Sequence, residues 1–259
     1  FGLGAVKGVG ESAVQSIVEE RRANGPFKGI FDFVQRVNLN ACNKKNMECL
    51  ALSGGFDSFP ELKREQFFAV NSKGETLMRY GNRYQADKAA AVNSLFGGEN
   101  VIDIATPEIL PAERWGDLER LNRERDLVGI YLSAHPLDEY TIVLDHVCNT
   151  RMAELEDKSA LVGREITMGG IVTSVRRGIS KNGNPYGIAK IEDYSGSAEL
   201  PFFGNDWVTF QGYLGEGTFL FIKARCQPKQ WRPEELDIKI TSMELLPDVK
   251  EKLVEKITI

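Results

Sequence analysis

From about residue 160 to residue 247 the chain alternates apolar and polar positions with a period near two, broken by turn residues. A helix cannot gather such a pattern on one face, whereas a strand sends successive side chains to opposite sides. The alternation therefore commits roughly the last third of the chain to β structure. The pattern predicts five strands, at Glu165–Val175, Tyr186–Glu192, Ala198–Phe203, Thr218–Gln227 and Asp237–Leu245. Lys181-Asn182-Gly183-Asn184 joins the first two, and Asn-Gly suits the positive φ of a tight hairpin. Asp193-Tyr194-Ser195-Gly196 makes the next turn, and Asn205–Tyr213 reads as a short helix before the fourth strand.

Three strands, a helix and two strands are the outline of an OB-fold, the five-stranded Greek-key barrel that often binds oligonucleotides. A small β-barrel with no ligand has the same outline. Residues 1–59 are of another kind, dense in glycine and small apolar residues. Ala13, Val14, Ile17 and Val18 predict a helix from Glu11 to Arg22, with Glu11 and Arg21-Arg22 complementing its dipole. Asn24-Gly25-Pro26 stops it. A second short helix carries Phe27, Ile30, Phe31, Phe33, Val34 and Val37; a third, Lys44–Leu52, is capped by Asn43 and ended by Ser53-Gly54-Gly55. Helices are also predicted over Glu61–Asn71, about Tyr84–Ala90 and Glu113–Tyr131, with an extended stretch between Phe96 and Pro111. The reading is an α+β chain in four parts: 1–59 all-helical, 60–159 a helical linker, 160–247 the barrel and 248–259 a tail.

Composition narrows the classes. With 32 Lys+Arg against 37 Asp+Glu, the 259 residues carry a net charge of −5. That argues against a wholly basic nucleic-acid binder but leaves room for a local basic patch. No apolar run approaches the roughly 20 residues of a membrane helix. The start, Phe-Gly-Leu-Gly-Ala-Val, has no signal-peptide character and reads as the cut end of a longer chain. Cys42, Cys49, Cys148 and Cys226 include no C-x-x-C and read as reduced cytosolic thiols; His135 and His146 are too few for a His-rich metal site. No nucleophile elbow, zinc-protease motif or phosphate loop with spaced aspartates is present, so neither a catalytic nor a metal site is expected within the chain.

Three places can carry recognition. In Lys7-Gly8-Val9-Gly10, followed by a helix, backbone amides at a helix N-terminus can hold a phosphate oxygen, with Lys7 and Ser12 adding contacts. A plain helix–helix turn uses the same glycines. Around the first barrel hairpin, Arg176, Arg177, Lys181 and Lys190 stand in a stretch, Thr167–Ile191, that holds no acidic residue. Positive charge there can track a phosphate backbone while Tyr186 and Phe202 stack bases. On the fourth strand Phe219, Phe221, Lys223 and Arg225 share one face, and Leu220, Ile222, Ala224 and Cys226 the other. The same aromatics can equally serve as packing. Third, Ser94-Leu95-Phe96 lies in a polar stretch and can act as a short peptide anchor, or as a contact with the chain's own body.

Gly2–Gly10, Gly25-Pro26-Phe27, Phe31-Asp32-Phe33, Asn43-Lys44, Gly54–Ser58 and the long string Leu127–Leu137 resemble the helix-hairpin-helix region and following signature of bacterial DNA polymerase III alpha subunits, the replicative C-family polymerases. The resemblance runs to about Pro247. It implies a parent enzyme that is a DNA-directed DNA polymerase of the bacterial cytoplasm, with its catalytic aspartates and their magnesium outside this chain. No cofactor is implied within it. It further implies that Lys7, Gly8, Val9 and Gly10 contact duplex DNA. Arg176, Arg177 and Lys181 would meet the single-stranded template. Ser94, Leu95 and Phe96 match the last three positions of the family's peptide for the sliding clamp (the beta subunit), with Val92 where its Gln stands. Other replicase subunits are implied partners, and no membrane is. Two other readings stay open: an OB module used mainly for packing, and an anticodon-binding-type module for RNA.

Overall fold

The apolar periodicity of the first sixty residues becomes three helices in the computed structural model: α1 (Glu11–Asn24), α2 (Ile30–Arg36) and α3 (Lys44–Leu52). The structure describes residues 2–68, 73–93, 105–109, 111–229 and 232–257. They fall into two compact units, Phe1–Ala134 and His135–Ile259.

In the first unit α1 buries Ala13 and Ile17, and α2 buries Ile30, Phe33 and Val34. The Asn43 side chain accepts from the Asn46 amide at 3.1 Å, the cap expected for α3. Phe33, Phe56 and Phe67 pack ring to ring in the core, with centroids 5.1 and 5.4 Å apart. The helix expected over Glu61–Asn71 is instead a 3₁₀ stretch, Arg64–Phe68, among the described residues. A three-residue turn superposes positions three apart, and Arg64 and Phe67 are both buried. The helix expected near Tyr84–Ala90 is much longer: α4 spans Lys73–Asn93. Leu77 and Tyr80 anchor it in the core, and Gln85 donates to the carbonyls of Val34 and Val37 at 2.9 Å each. Its polar opening hid it from the periodicity. α5 (Asp117–Val128) starts later than expected and ends at Gly129, whose φ is +90°.

A buried ion network ties this unit together. Arg64 donates to Glu124 at 2.8 Å, to Asp57 at 2.9 Å and to the Leu52 carbonyl at 3.2 Å. Glu124 also accepts from the amides of Leu132 and Ser133, both at 2.7 Å. Burial alone would push the Glu124 carboxyl up, but hydrogen bonds from Ser133 and Arg64 hold it below the usual carboxylate range.

The second unit holds all five expected strands: β1 (Glu165–Ile179), β2 (Pro185–Asp193), β3 (Gly196–Phe203), β4 (Phe219–Lys229) and β5 (Arg232–Leu245). They form one antiparallel sheet in the order β3-β2-β1-β4-β5. β1 is long enough to serve two partners. Its first half pairs with β4 and its second with β2, with a register shift between Val172 and Ser174. A bulge there bends the strand and curls the sheet into a half-barrel. β3 and β5 are left as its edges. Ile166, Met168, Val172, Ile191, Phe202 and Ile222 fill the interior with Trp207 and Phe210 of α7 (Asn205–Phe210). Gly187 is required beneath Trp207, since an added Cβ would lie 2.1 Å from its ring. Asp193 makes the predicted turn: its carboxylate accepts from the Ser195 and Gly196 amides, and also from Met152 at 2.9 Å.

The outer side of β1 and β4 is covered by α6 (Thr141–His146) and α8 (Leu246–Ile257). Phe219 packs on Tyr140 with centroids 5.0 Å apart, and Phe221 is buried. No helix among the described residues is long and apolar enough to cross a membrane.

Candidate nucleic-acid interface

The hairpin before α1 is held from below. Val6 and Val9 point into the core, and the Val9 amide donates to the Val6 carbonyl at 3.1 Å. Gly8 lies between them with a φ of +88°, and a Cβ there would meet the Cys49 sulfur at 2.7 Å. This position requires glycine twice over, for conformation and for space. The Lys7 amide donates to the Leu127 carbonyl at 2.9 Å, and the Gly10 amide to Asn46 Oδ1 at 3.0 Å. Asn46 is itself buried and donates to the Ala41 carbonyl at 3.1 Å.

These contacts correct part of the sequence reading. Val9 can offer a ligand no side chain, and the amides of Lys7, Val9 and Gly10 already have protein acceptors. What remains outward are the Lys7 side chain, the Gly8 tip, Ser12 and the amides of Glu11 and Ser12 at the start of α1, whose N-cap Gly10 supplies no capping side chain while its carbonyl accepts from the Ala13 amide at 3.0 Å. Amides in a first turn have no partner within their helix. Glu11, exposed in the same turn, opposes an incoming phosphate. Asn46 was missed by the sequence reading; its only signal was a polar residue three positions after a cap.

In the barrel, the outer side of β2 and β3 gathers a different set. Tyr186 stands opposite Phe203, with ring centroids 5.4 Å apart. Arg176, opposite Ile188, and Lys190 share this outer side. Phe202 does not: it is 1% exposed and belongs to the interior. Its neighbour Phe203, 57% exposed, stands on the outer face beside Tyr186 instead. The correction was latent in the alternation, because Leu200 and Phe202 point inward together.

Lys223 and Arg225 are also not part of this cluster. They pair with Thr167 and Glu165, and Lys223 lies 5.9 Å from the Phe221 ring centroid beside the helix-covered region. Arg176 lies nine positions after Thr167 on β1, which is up to roughly 30 Å along a strand. Arg177 turns to the barrel end, donating to the Leu214 carbonyl at 3.3 Å with its guanidinium 6.0 Å from the Trp207 ring. Lys181 is exposed at the hairpin tip. Ser94, Leu95 and Phe96 lie outside the described residues.

Between the two sheet edges runs an open groove of about 780 Å³, bordered by Phe203 and Pro201 of β3 and by Lys229, Arg232 and Lys239 of the β4–β5 hairpin. The three cations were missed because their sequence neighbourhood is also rich in carboxylates. Each is ion-paired. Lys229 and Arg232 hold Glu235 at 2.5 and 2.9 Å, Lys239 holds Asp206 at 2.6 Å, and Arg176 holds Glu199 at 2.7 Å. The hydrogen bonds from Lys229 and Arg232 bring the Glu235 carboxyl down to about 2. The four thiols are free, and burial pushes Cys42 up to about 11 and Cys148 up to about 12, which leaves them unreactive.

Residues 1–67 match the family described as a helix-hairpin-helix motif, and residues 166–246 match the one described as an OB-fold nucleic acid binding domain. The DNA polymerase III alpha subunit of Pasteurella multocida is 30% identical over 229 residues, 87% of this chain and 19% of that protein. This chain resembles a stretch of the DNA polymerase III alpha subunit. The alpha subunit of Haemophilus influenzae is 31% identical over 85% of this chain and 19% of its own length. That of Saccharopolyspora erythraea is 29% identical over 99% of this chain and 22% of its own. The chain thus spans about a fifth of the length of these alpha subunits. The α+β reading, a helix-hairpin-helix region followed by an OB-type sheet, is borne out by both matches and by the strand order. In the string Leu127–Leu137, which carries much of the likeness, Leu127 and Ser133 have structural work: one holds the Lys7 amide, the other satisfies buried Glu124.

Proposed function

We propose that this chain is the non-catalytic DNA-handling part of a DNA polymerase III alpha subunit in the bacterial cytoplasm. The hairpin holds the backbone of duplex DNA, and the barrel holds single-stranded template. The observation that carries the reading is the order of the two modules in a chain similar to alpha subunits over 87% of its length. The outward Lys7, Gly8 and Ser12 support the duplex contact. The Tyr186–Phe203 pair, flanked by Arg176 and Lys190, supports the single-strand contact, since stacking on aromatics beside cations tolerates every base. Contacts made to phosphate carry no sequence information, as a replicase requires. In this reading the polymerase activity, its aspartates and its magnesium belong to the rest of the parent protein. Ser94, Leu95 and Phe96 form the sliding-clamp peptide, and other replicase subunits complete the assembly.

Fluorescence anisotropy with a labelled single strand and a matched duplex, at two salt concentrations, tests the DNA contacts. Salt-sensitive binding with little sequence preference is expected; no binding to either at low salt rejects them. Leu95→Ala with Phe96→Ala should abolish capture of the clamp and leave DNA binding intact. Equal capture by mutant and parent rejects that segment. One observation favours a second reading, in which the barrel is chiefly a packing module: the outer aromatics of β4 are covered, and the groove cations are already paired. That reading predicts no salt-dependent affinity for single strands.

A further inference from the structure

The groove between β3 and β5 is lined by four cations and four carboxylates, so its formal charge cancels. The cancellation is local. Glu235 bridges Lys229 and Arg232, and Asp206 binds Lys239 through both oxygens, at 2.7 and 2.6 Å. On the adjoining outer face Glu199 reaches from β3 past β2 to Arg176 on β1. In each pair a carboxylate oxygen occupies the position from which a phosphate oxygen would accept the same hydrogen bond.

We propose that Glu199 and Glu235 are built-in competitors for the phosphates of the bound strand. They keep the groove from gripping single-stranded DNA tightly and let it release and re-engage as the strand moves. The proposal rests on the single-strand contact argued above. Its physical basis is that exposed ion pairs are weak and yield to a polyanion. Each phosphate that binds must displace a carboxylate rather than only a solution anion. Fewer counterions are then released, and both affinity and salt dependence fall below what the cation count implies. Phe203 and Tyr186 offer ring faces for which no carboxylate competes, so the strand stays aligned while its phosphate contacts exchange.

The test uses the whole chain and a labelled oligothymidine, titrated by anisotropy at low and moderate salt. Glu235→Gln and Glu199→Gln, which keep size and remove charge, should each bind about 3- to 10-fold tighter at low salt, with a steeper salt slope. Glu216→Gln, an exposed carboxylate outside the groove, should change affinity less than twofold. In an Arg176→Ala, Lys190→Ala background, Glu199→Gln should lose its gain, because the two cations facing that carboxylate on the sheet are then gone. Gains no larger than that of Glu216→Gln, or a Glu199→Gln gain that survives without Arg176 and Lys190, overturn the proposal while leaving the single-strand contact standing. Absence of binding by parent and variants alike removes both.

Discussion

The hairpin of the first unit and the sheet of the second present nucleic acid with opposite kinds of surface. The hairpin offers backbone, positioned by what is buried beneath it: Val6 and Val9 in the core, Cys49 under Gly8, and Asn46 on the Gly10 amide. The sheet offers side chains, Tyr186, Phe203, Arg176 and Lys190, on a scaffold whose interior is independent of them. A backbone site is tuned only by altering the fold. A side-chain site can be tuned one residue at a time, and ion-paired carboxylates such as Glu199 stand beside its cations.

The largest test of this contrast lies in the interiors. Phe202→Ala should destabilise the barrel by about 3–5 kcal/mol, whereas Phe203→Ala leaves its stability nearly unchanged. Chemical denaturation of the two variants measures the difference, and equal losses would remove the inward and outward assignments. Of similar size is Arg64→Met, which leaves Glu124 buried without its cation. A loss of about 3–5 kcal/mol is expected, with faster hydrogen exchange in α3 and α5 and unchanged exchange in β1–β4. The pH dependence sharpens it. In the parent, Glu124 is held below its ordinary value of 4.5, so its contribution is complete above that pH and is lost as pH falls through the lowered value. In the variant the hydrogen bonds from Ser133 and Leu132 remain while that of Arg64 is gone, so the carboxyl rises and the stability lost on acidification shrinks. An unchanged slope would show that Arg64 is not what holds Glu124 ionised.

Smaller effects follow at the binding surfaces. Phe203→Ala should weaken single-strand affinity by about 1–3 kcal/mol without unfolding, read by anisotropy. Asn46→Ala should cost about 1–2 kcal/mol of stability and lower duplex affinity, although Asn46 touches no ligand. Duplex binding unchanged in a destabilised Asn46→Ala would mean that the hairpin amides do not contact DNA. The smallest expected effect is Arg177→Ala, which loses a carbonyl contact at the barrel end and should leave the single-strand salt slope alone, unlike Arg176→Ala.

Local signals in the sequence were read well. Asn43 as a cap, Gly25 and Gly54 after helices, and all five strands emerged because caps, turns and period-two alternation depend on residues a few positions apart. The strand edges shifted mainly outward, as β1 ran on to Ile179 and β5 began at Arg232. Signals that cross the chain were misread. Phe202 and Phe203 are adjacent, and choosing between them requires knowing which side of the sheet is closed. Lys223 and Arg225 seemed to extend a basic stripe, but the length of β1 separates them from Arg176.

The sequence by itself therefore determined the two kinds of secondary structure, their order and the glycines that the hairpin needs. Only the tertiary structure decided which amides stay available, which aromatic faces outward and which cations are neutralised. The reason is physical. Periodicity and capping are set by covalent neighbours, whereas burial, amide pairing and charge cancellation are set by groups such as Gly10 and Asn46, or Arg176 and Glu199, that only folding brings within hydrogen-bond distance.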